Sequence, residues 1–185
     1  MLPLATFRAV LALLLCLGAV SGLAGERTVL TGVVVGVVDG DTADVRLDSG
    51  MIRVRFHAID APESGQPHGK AAKAALADLI YGRTVAVEPY EQDRYDRLVA
   101  RIWLEELDVN AEMIRTGNAW TYRKYADDPA YCSYEKAARD LKRGLWRLPP
   151  GQRVAPWEWR QRKTRTSFTD YGMEDVAGCV AALGQ

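Results

Sequence analysis

The chain has 185 residues and 20.5 kDa, room for one ordinary domain with appendages and little more. Hydrophobic residues make up 48% and charged residues 26%, which excludes a disordered or fibrous chain. Lys+Arg and Asp+Glu both number 24, which excludes a uniformly basic nucleic-acid coat though not a local basic patch, and 3 Cys and 2 His without a CxxC or HxxxH pair exclude a standard zinc site.

Residues 9–20 (AVLALLLCLGAV) form an apolar run after Arg8, too short for the roughly 20 residues that span a bilayer. The run reads as the core of a secretory signal over residues 1–24, with cleavage after Ala24 or Ser21, and the alternative is an uncleaved anchor. The expected location is therefore outside the cytoplasm, periplasmic or secreted. Cys16 leaves with the signal. That leaves Cys132 and Cys179 as an even pair in an oxidising compartment, expected to form a disulfide that ties the C-terminal tail to the last helix; the alternative is two free thiols.

Residues 29–38 are β-branched and almost continuously apolar, as in a strand buried on both faces or wrapped into a barrel. After Asp39-Gly40, residues 41–47 alternate, with Asp41, Ala43, Val45 and Leu47 on one face. Asp48-Ser49-Gly50 reads as a tight turn, and residues 52–58 alternate again with Arg53, Arg55 and His57 outward. A Gly- and Pro-rich loop (61–69), an Ala-rich helix (70–81), strands near 84–89 and 98–104, and helices near 109–116 and 128–143 follow. The order βββ-α-ββ-α-α predicts an α+β fold, a five-stranded OB-type barrel over residues 25–150 with about three helices outside it. Residues 151–185 form an extension, expected to be partly mobile. Its basic run (Arg160, Arg162, Lys163, Arg165) reads as a solvated flank rather than a nucleic-acid track. Trp103, Trp120 and Trp146 are expected in the core, Trp157 and Trp159 as pins for the tail, and His57 and His68 in structural or solvent roles.

The acids and arginines fall where a barrel converges. Parity aims Asp41 at the barrel mouth, where an unpaired carboxylate is costly without a counter-charge. Asp60 and Glu63 flank Pro62, which stiffens their loop. Asp41 and Asp60 together make a hard oxygen site suited to Ca²⁺ or a similar cation, leaving Glu63 to take a proton from a nearby water. Arg55 and the segment Asp93-Arg94-Tyr95-Asp96-Arg97 either pair with neighbouring acids or, facing such a cation, grip a phosphate.

The segments VVDGDT (37–42), RFHAIDAPE (55–63), DRYDR (93–97), LVARIWL (98–104) and VNAEMIRTGNAW (109–120) resemble the staphylococcal-nuclease (thermonuclease-like) family, over roughly residues 28–148. The resemblance implies an OB-type barrel with three helices and Ca²⁺-dependent hydrolysis of DNA and RNA that leaves 3′-phosphate ends. By position it implies a single calcium ion held by Asp41, Asp60 and the Ala61 carbonyl, Glu63 as general base, and Arg55 and Arg97 on the phosphate. Tyr95 and Tyr125 are similar to residues that line the family's nucleotide pocket. Two positions depart from the pattern: Ala61 stands where Thr is frequent, and Asp96 where Gly is usual before the second arginine, placing a negative charge beside Arg97. The rival reading is a non-catalytic OB module that binds single strands, although such modules lack the carboxylates present here. A monomer is the expected state.

Overall fold

A computed structural model describes residues 28–162, 167, 169 and 174–185. The signal-like stretch 1–24 with Cys16, and Lys163 and Arg165 of the basic run, lie outside the described residues. Five strands close into the expected barrel: β1 (Leu30–Asp39), β2 (Thr42–Leu47), β3 (Gly50–Phe56), β5 (Thr84–Gln92) and β6 (Leu98–Leu104). Between β3 and β5 come the two-residue β4 (Ile59–Asp60) and helix α1 (Gly69–Ile80). After β6 come β7 (Leu107–Asp108), α2 (Val109–Arg115), β8 (Trp120–Thr121) and α3 (Ala130–Asp140), the extra strand β7 pairing with β6. The extension carries α4 (Pro156–Trp159) and α5 (Val176–Ala181).

Antiparallel pairing runs β3-β2-β1-β5-β6, and parallel pairing of β3 with β6 (Val54↔Leu98, Arg55↔Val99, Phe56↔Ala100) closes the cylinder. Two register shifts along the β1–β2 ladder, between Val34 and Gly36 and between Val37 and Asp39, mark the bulges that let a ten-residue strand bend around the barrel. The inward faces supply Val34, Val45, Val54, Phe56, Val87 and Ile102, all buried. Helix α1 lays Ala72, Leu76 and Ile80, spaced four apart, over this core. Trp120 and Trp146 are buried as expected, with ring centroids 4.5 Å apart. Trp103 differs: it is half-buried, and its indole N–H donates to Glu88 at 3.1 Å, which a fully apolar site would not allow.

Helix α3 is shorter than the 128–143 span because the Asp128 carboxylate caps it, accepting from the Ala130 N–H at 2.8 Å, and Lys142 turns left-handed (φ 50°) beyond its end. The extension is joined to this helix by a Cys132–Cys179 disulfide between α3 and α5. Fully buried Glu135 of α3 accepts from the Thr121 N–H at 2.7 Å and from Arg123 at 2.9 Å, with Arg139 at 3.4 Å. Both arginines also reach Glu174. Replacing Glu135 with Ala removes the fully buried carboxylate that both guanidiniums share and leaves the Thr121 N–H without its acceptor, so Glu135→Ala is expected to cost about 3–5 kcal/mol of stability in urea unfolding. A loss below about 1 kcal/mol would show that the arginines are satisfied without it.

Candidate active site

The site forms where the β1–β2 turn, the end of β3 and the loop after β4 meet. Asp39 pairs across the turn with Thr42, and the Asp41 carbonyl accepts from the Phe56 N–H at 2.8 Å, locking the turn to β3. Gly40 permits the close approach: a Cβ there would stand 2.7 Å from the Ala61 Cβ and 2.8 Å from the Ala72 Cβ. Asp60 pairs with Trp120 across β4 and β8, which fixes its backbone. The loop that follows is stitched by Gln66, whose N–H donates to the Glu63 carbonyl (2.8 Å) and whose side-chain oxygen accepts from the Glu63 N–H (3.1 Å).

Asp41 and Asp60 are brought together at one guanidinium. Arg55 places Nε 3.3 Å from Asp41 Oδ1 and donates from Nη2 to Asp60 Oδ1 at 2.8 Å, while Nη1 donates to the carbonyls of Phe56 (2.8 Å) and Ile59 (2.9 Å). Asp41 also accepts from the Ala61 N–H at 2.5 Å and from the Thr42 hydroxyl at 3.1 Å. Arg55 is thus a brace for both acids, with one Nη2 hydrogen left for another acceptor.

The electrostatics are unbalanced. Burial pushes the Asp41 carboxyl up to about 8; the Arg55 guanidinium resists this, and the charges on Asp39 and Asp60 add to it. Burial works against the charge on Arg55, but Asp41, Asp60 and Asp39 outweigh it and hold Arg55 above its ordinary value. Arg55 thus faces two buried acids, of which Asp60 also pairs with Arg160. Two carboxylates and a backbone carbonyl are the hard donors a divalent ion such as Ca²⁺ takes, with water filling the remaining positions. Asp41, Asp60 and the Ala61 carbonyl supply donors of that chemistry. Among the described residues no group of three or more His, Cys, Asp or Glu side chains is arranged to hold one, so any such site rests on this mixed set.

The other expected residues line the same cleft, of about 740 Å³. Glu63 projects into it, half-buried. Arg97 enters from the β5–β6 loop, held by Asp93 through Nε (2.8 Å) and Nη2 (2.7 Å). Asp96 takes a left-handed backbone (φ 63°), the conformation for which glycine is suited and which Asp tolerates, and its carboxylate accepts from Gln92 rather than from Arg97. Tyr95 is exposed, with the guanidiniums of Arg94 and Arg97 4.8 and 5.4 Å from its ring centroid. Tyr125 meets Tyr122 edge-on at 4.9 Å, with Lys124 over its ring. His57 stacks on Tyr90 at 3.8 Å, and His68 pairs with Asn118. Cys132 and Cys179 are not among the residues lining the cleft.

Arg160 is the main addition. Read from sequence as part of a solvated flank, it instead reaches into the cleft and bonds Asp60 and Glu63. No local pattern marks it, since which loop an extension covers is a tertiary fact. Asp39 and Tyr122 also line the cleft, Asp39 because it ends β1 at the turn that carries Asp41.

Residues 53–148 match the family model of staphylococcal nuclease homologues. The chain is 40% identical over 169 residues to a micrococcal nuclease of Shigella flexneri, covering 85% of this chain and 94% of that protein. It is 39% identical over 133 residues to an uncharacterized endonuclease of Escherichia coli O157:H7 (71% and 86%), and 34% over 139 residues to one of Haemophilus influenzae (75% and 77%).

Because a raised carboxyl pKa means that the folded state binds a proton the unfolded state has released, the contribution of Asp41 to stability falls as pH rises from about 4 through about 8. Asp41→Asn removes that loss. In chelator the variant is expected to outlast the parent chain in urea at pH 8, by a few kcal/mol, with the gap closing toward pH 4. A gap independent of pH would contradict this account of Asp41.

Proposed function

The chain belongs to the staphylococcal nuclease family, and we propose that it is an endonuclease that uses one Ca²⁺ ion to hydrolyse the phosphodiester bonds of DNA and RNA, leaving 3′-phosphate ends. The observation that carries this reading is the convergence of Asp41 and Asp60 on Arg55, with Glu63 in the same cleft.

Asp41, Asp60 and the Ala61 carbonyl would hold the ion, which when bound supplies charge neutralisation at a nonbridging phosphate oxygen. Glu63, on a loop fixed by Pro62 and Gln66, accepts the proton of the attacking water. Arg55 offers its remaining Nη2 hydrogen to a phosphate oxygen, and Arg97, steadied by Asp93, offers a second cation to charge that develops as the bond to the leaving oxygen lengthens. Tyr95 and Tyr125, both exposed in the cleft, present ring faces to the flanking bases. The protein acts on DNA and RNA as a monomer. Export to the periplasm or the medium after removal of residues 1–24 is supported by the Cys132–Cys179 disulfide, a bond suited to an oxidising compartment.

Glu63→Gln is expected to cut single-stranded DNA roughly 10²–10⁴-fold more slowly while still binding a nucleotide in the presence of Ca²⁺. Chelator should abolish cutting by the parent protein, and its products should ligate only after end-group phosphate is moved from 3′ to 5′. Near-parental cutting by Glu63→Gln would discard the base assignment, and cutting in chelator would discard the metal.

A further inference from the structure

Arg160 stands beyond residue 148, where the family match ends, and its guanidinium sits on the acids the reaction needs. Its Nη2 donates to Asp60 Oδ2 at 2.8 Å, and its Nη1 donates to Glu63 Oε1 at 2.8 Å and lies 3.3 Å from Asp60 Oδ1. Asp60 is thereby divided between two guanidiniums, Arg55 on Oδ1 and Arg160 on Oδ2.

This is a built contact rather than a chance surface pair. The Asp60 side chain is 2% exposed. The backbone carrying Arg160 is pinned on its N-terminal side: Ala155, Pro156 and Glu158 are buried, and the Gln66 amide donates to the Val154 carbonyl, tying the extension to the loop that bears Glu63. Trp157 stacks on Tyr122 with ring centroids 5.2 Å apart and planes within 3°. The side chain of Arg160 itself is 43% exposed, so it can swing to solvent while its backbone stays in place.

The contact and the proposed reaction exclude one another. A divalent ion drawn to Asp60 meets a fixed positive charge already bonded to that carboxylate, and the two repel. Glu63 Oε1 is taken up by the Arg160 guanidinium and is not free to meet a water there. We propose that Arg160 is a resident counter-cation of the metal site, which competes with the divalent ion for Asp60 and Glu63 and so sets the metal concentration at which the site becomes competent. The inference rests on the calcium reading above, and it adds the extension to the machinery that decides when the ion binds.

The test is Ca²⁺ binding to the metal-free full-length mature chain, followed by isothermal titration calorimetry, for the parent protein, Arg160→Gln, Arg160→Lys and Asp41→Asn. Thermal unfolding of each variant confirms its fold beforehand, and Arg160→Lys, which retains the charge, guards against a loss that is only structural. Arg160→Gln is expected to bind Ca²⁺ on the order of tenfold more tightly than the parent, with Arg160→Lys near the parent value. Unchanged affinity in Arg160→Gln, while Asp41→Asn abolishes binding, overturns the competition and leaves the metal reading standing. Weaker Ca²⁺ binding in Arg160→Gln overturns it in favour of a guanidinium that positions Asp60, and a raised KM for an oligonucleotide with Ca²⁺ affinity unchanged overturns it in favour of one that grips substrate phosphate. Absence of binding in every protein, Arg160→Gln included, overturns both readings together.

Discussion

Asp41 and Asp60 are each almost removed from water, and both lean on the Arg55 guanidinium. Removing a carboxylate from water costs several kcal/mol even after relaxation; Asp60 draws on a second guanidinium, that of Arg160, while Asp41 pairs with Arg55. The fold nevertheless invests in keeping them there. Arg55 is anchored through Nη1 to the carbonyls of Phe56 and Ile59, Asp41 is held by the Ala61 N–H, and Gly40 lacks the Cβ that would press on Ala61 and Ala72. Replacing a buried ion-paired set with apolar residues of similar volume is often neutral or stabilising, so stability alone does not account for these acids. In the calcium reading proposed above, these acids would be the anionic donors that receive the ion.

Closure of the barrel converts this local arrangement into a cleft. The parallel β3–β6 pairing begins at Val54↔Leu98, so Arg97 lies one residue ahead of the paired segment and Arg55 within it. A register set by apolar parity therefore decides how far apart the two arginines stand, because a slip by one residue would turn Val54 and Phe56 out of the core. Core packing and the spacing of the site are one constraint. The same logic explains Asp96: the left-handed turn that delivers Arg97 into the cleft directs the adjacent carboxylate to Gln92, so its charge does not contact the Arg97 guanidinium.

The barrel was legible because its strands obey period two and its turns carry Asp-Gly and Asp-Ser-Gly, signals that act within a few residues. The alternation that places Ala43 and Val45 inward also places Asp41, which is why one acid could be assigned to the barrel mouth from parity. Features that depend on contacts distant along the chain were not legible. Trp103 looks like core by composition, yet its strand position puts the indole beside Glu88, fifteen residues earlier. Arg160 sits among other basic residues and its partners lie about a hundred positions away, so no window of sequence could distinguish it from its neighbour Arg162, which folds over the Trp159 ring.

The extension is better regarded as a wall of the site than as an appendage. Its far end is fastened covalently to α3 through Cys132–Cys179, and α3 in turn holds Arg123, Arg139 and Glu174 around the buried Glu135. Its near end is fastened by Trp157 on Tyr122, which lines the cleft, and by Gln66, of the loop that carries Glu63, on the Val154 carbonyl. Fastening at both ends lowers the entropy cost of holding any one side chain in the cleft. A guanidinium delivered from such a frame has a high local concentration near Asp60 and Glu63, in the manner of a tethered ligand. The frame need not move for the guanidinium to leave, since its half-exposed side chain can rotate alone. A tethered charge of that kind can be outcompeted by a free divalent ion, whereas a buried and unyielding one could not.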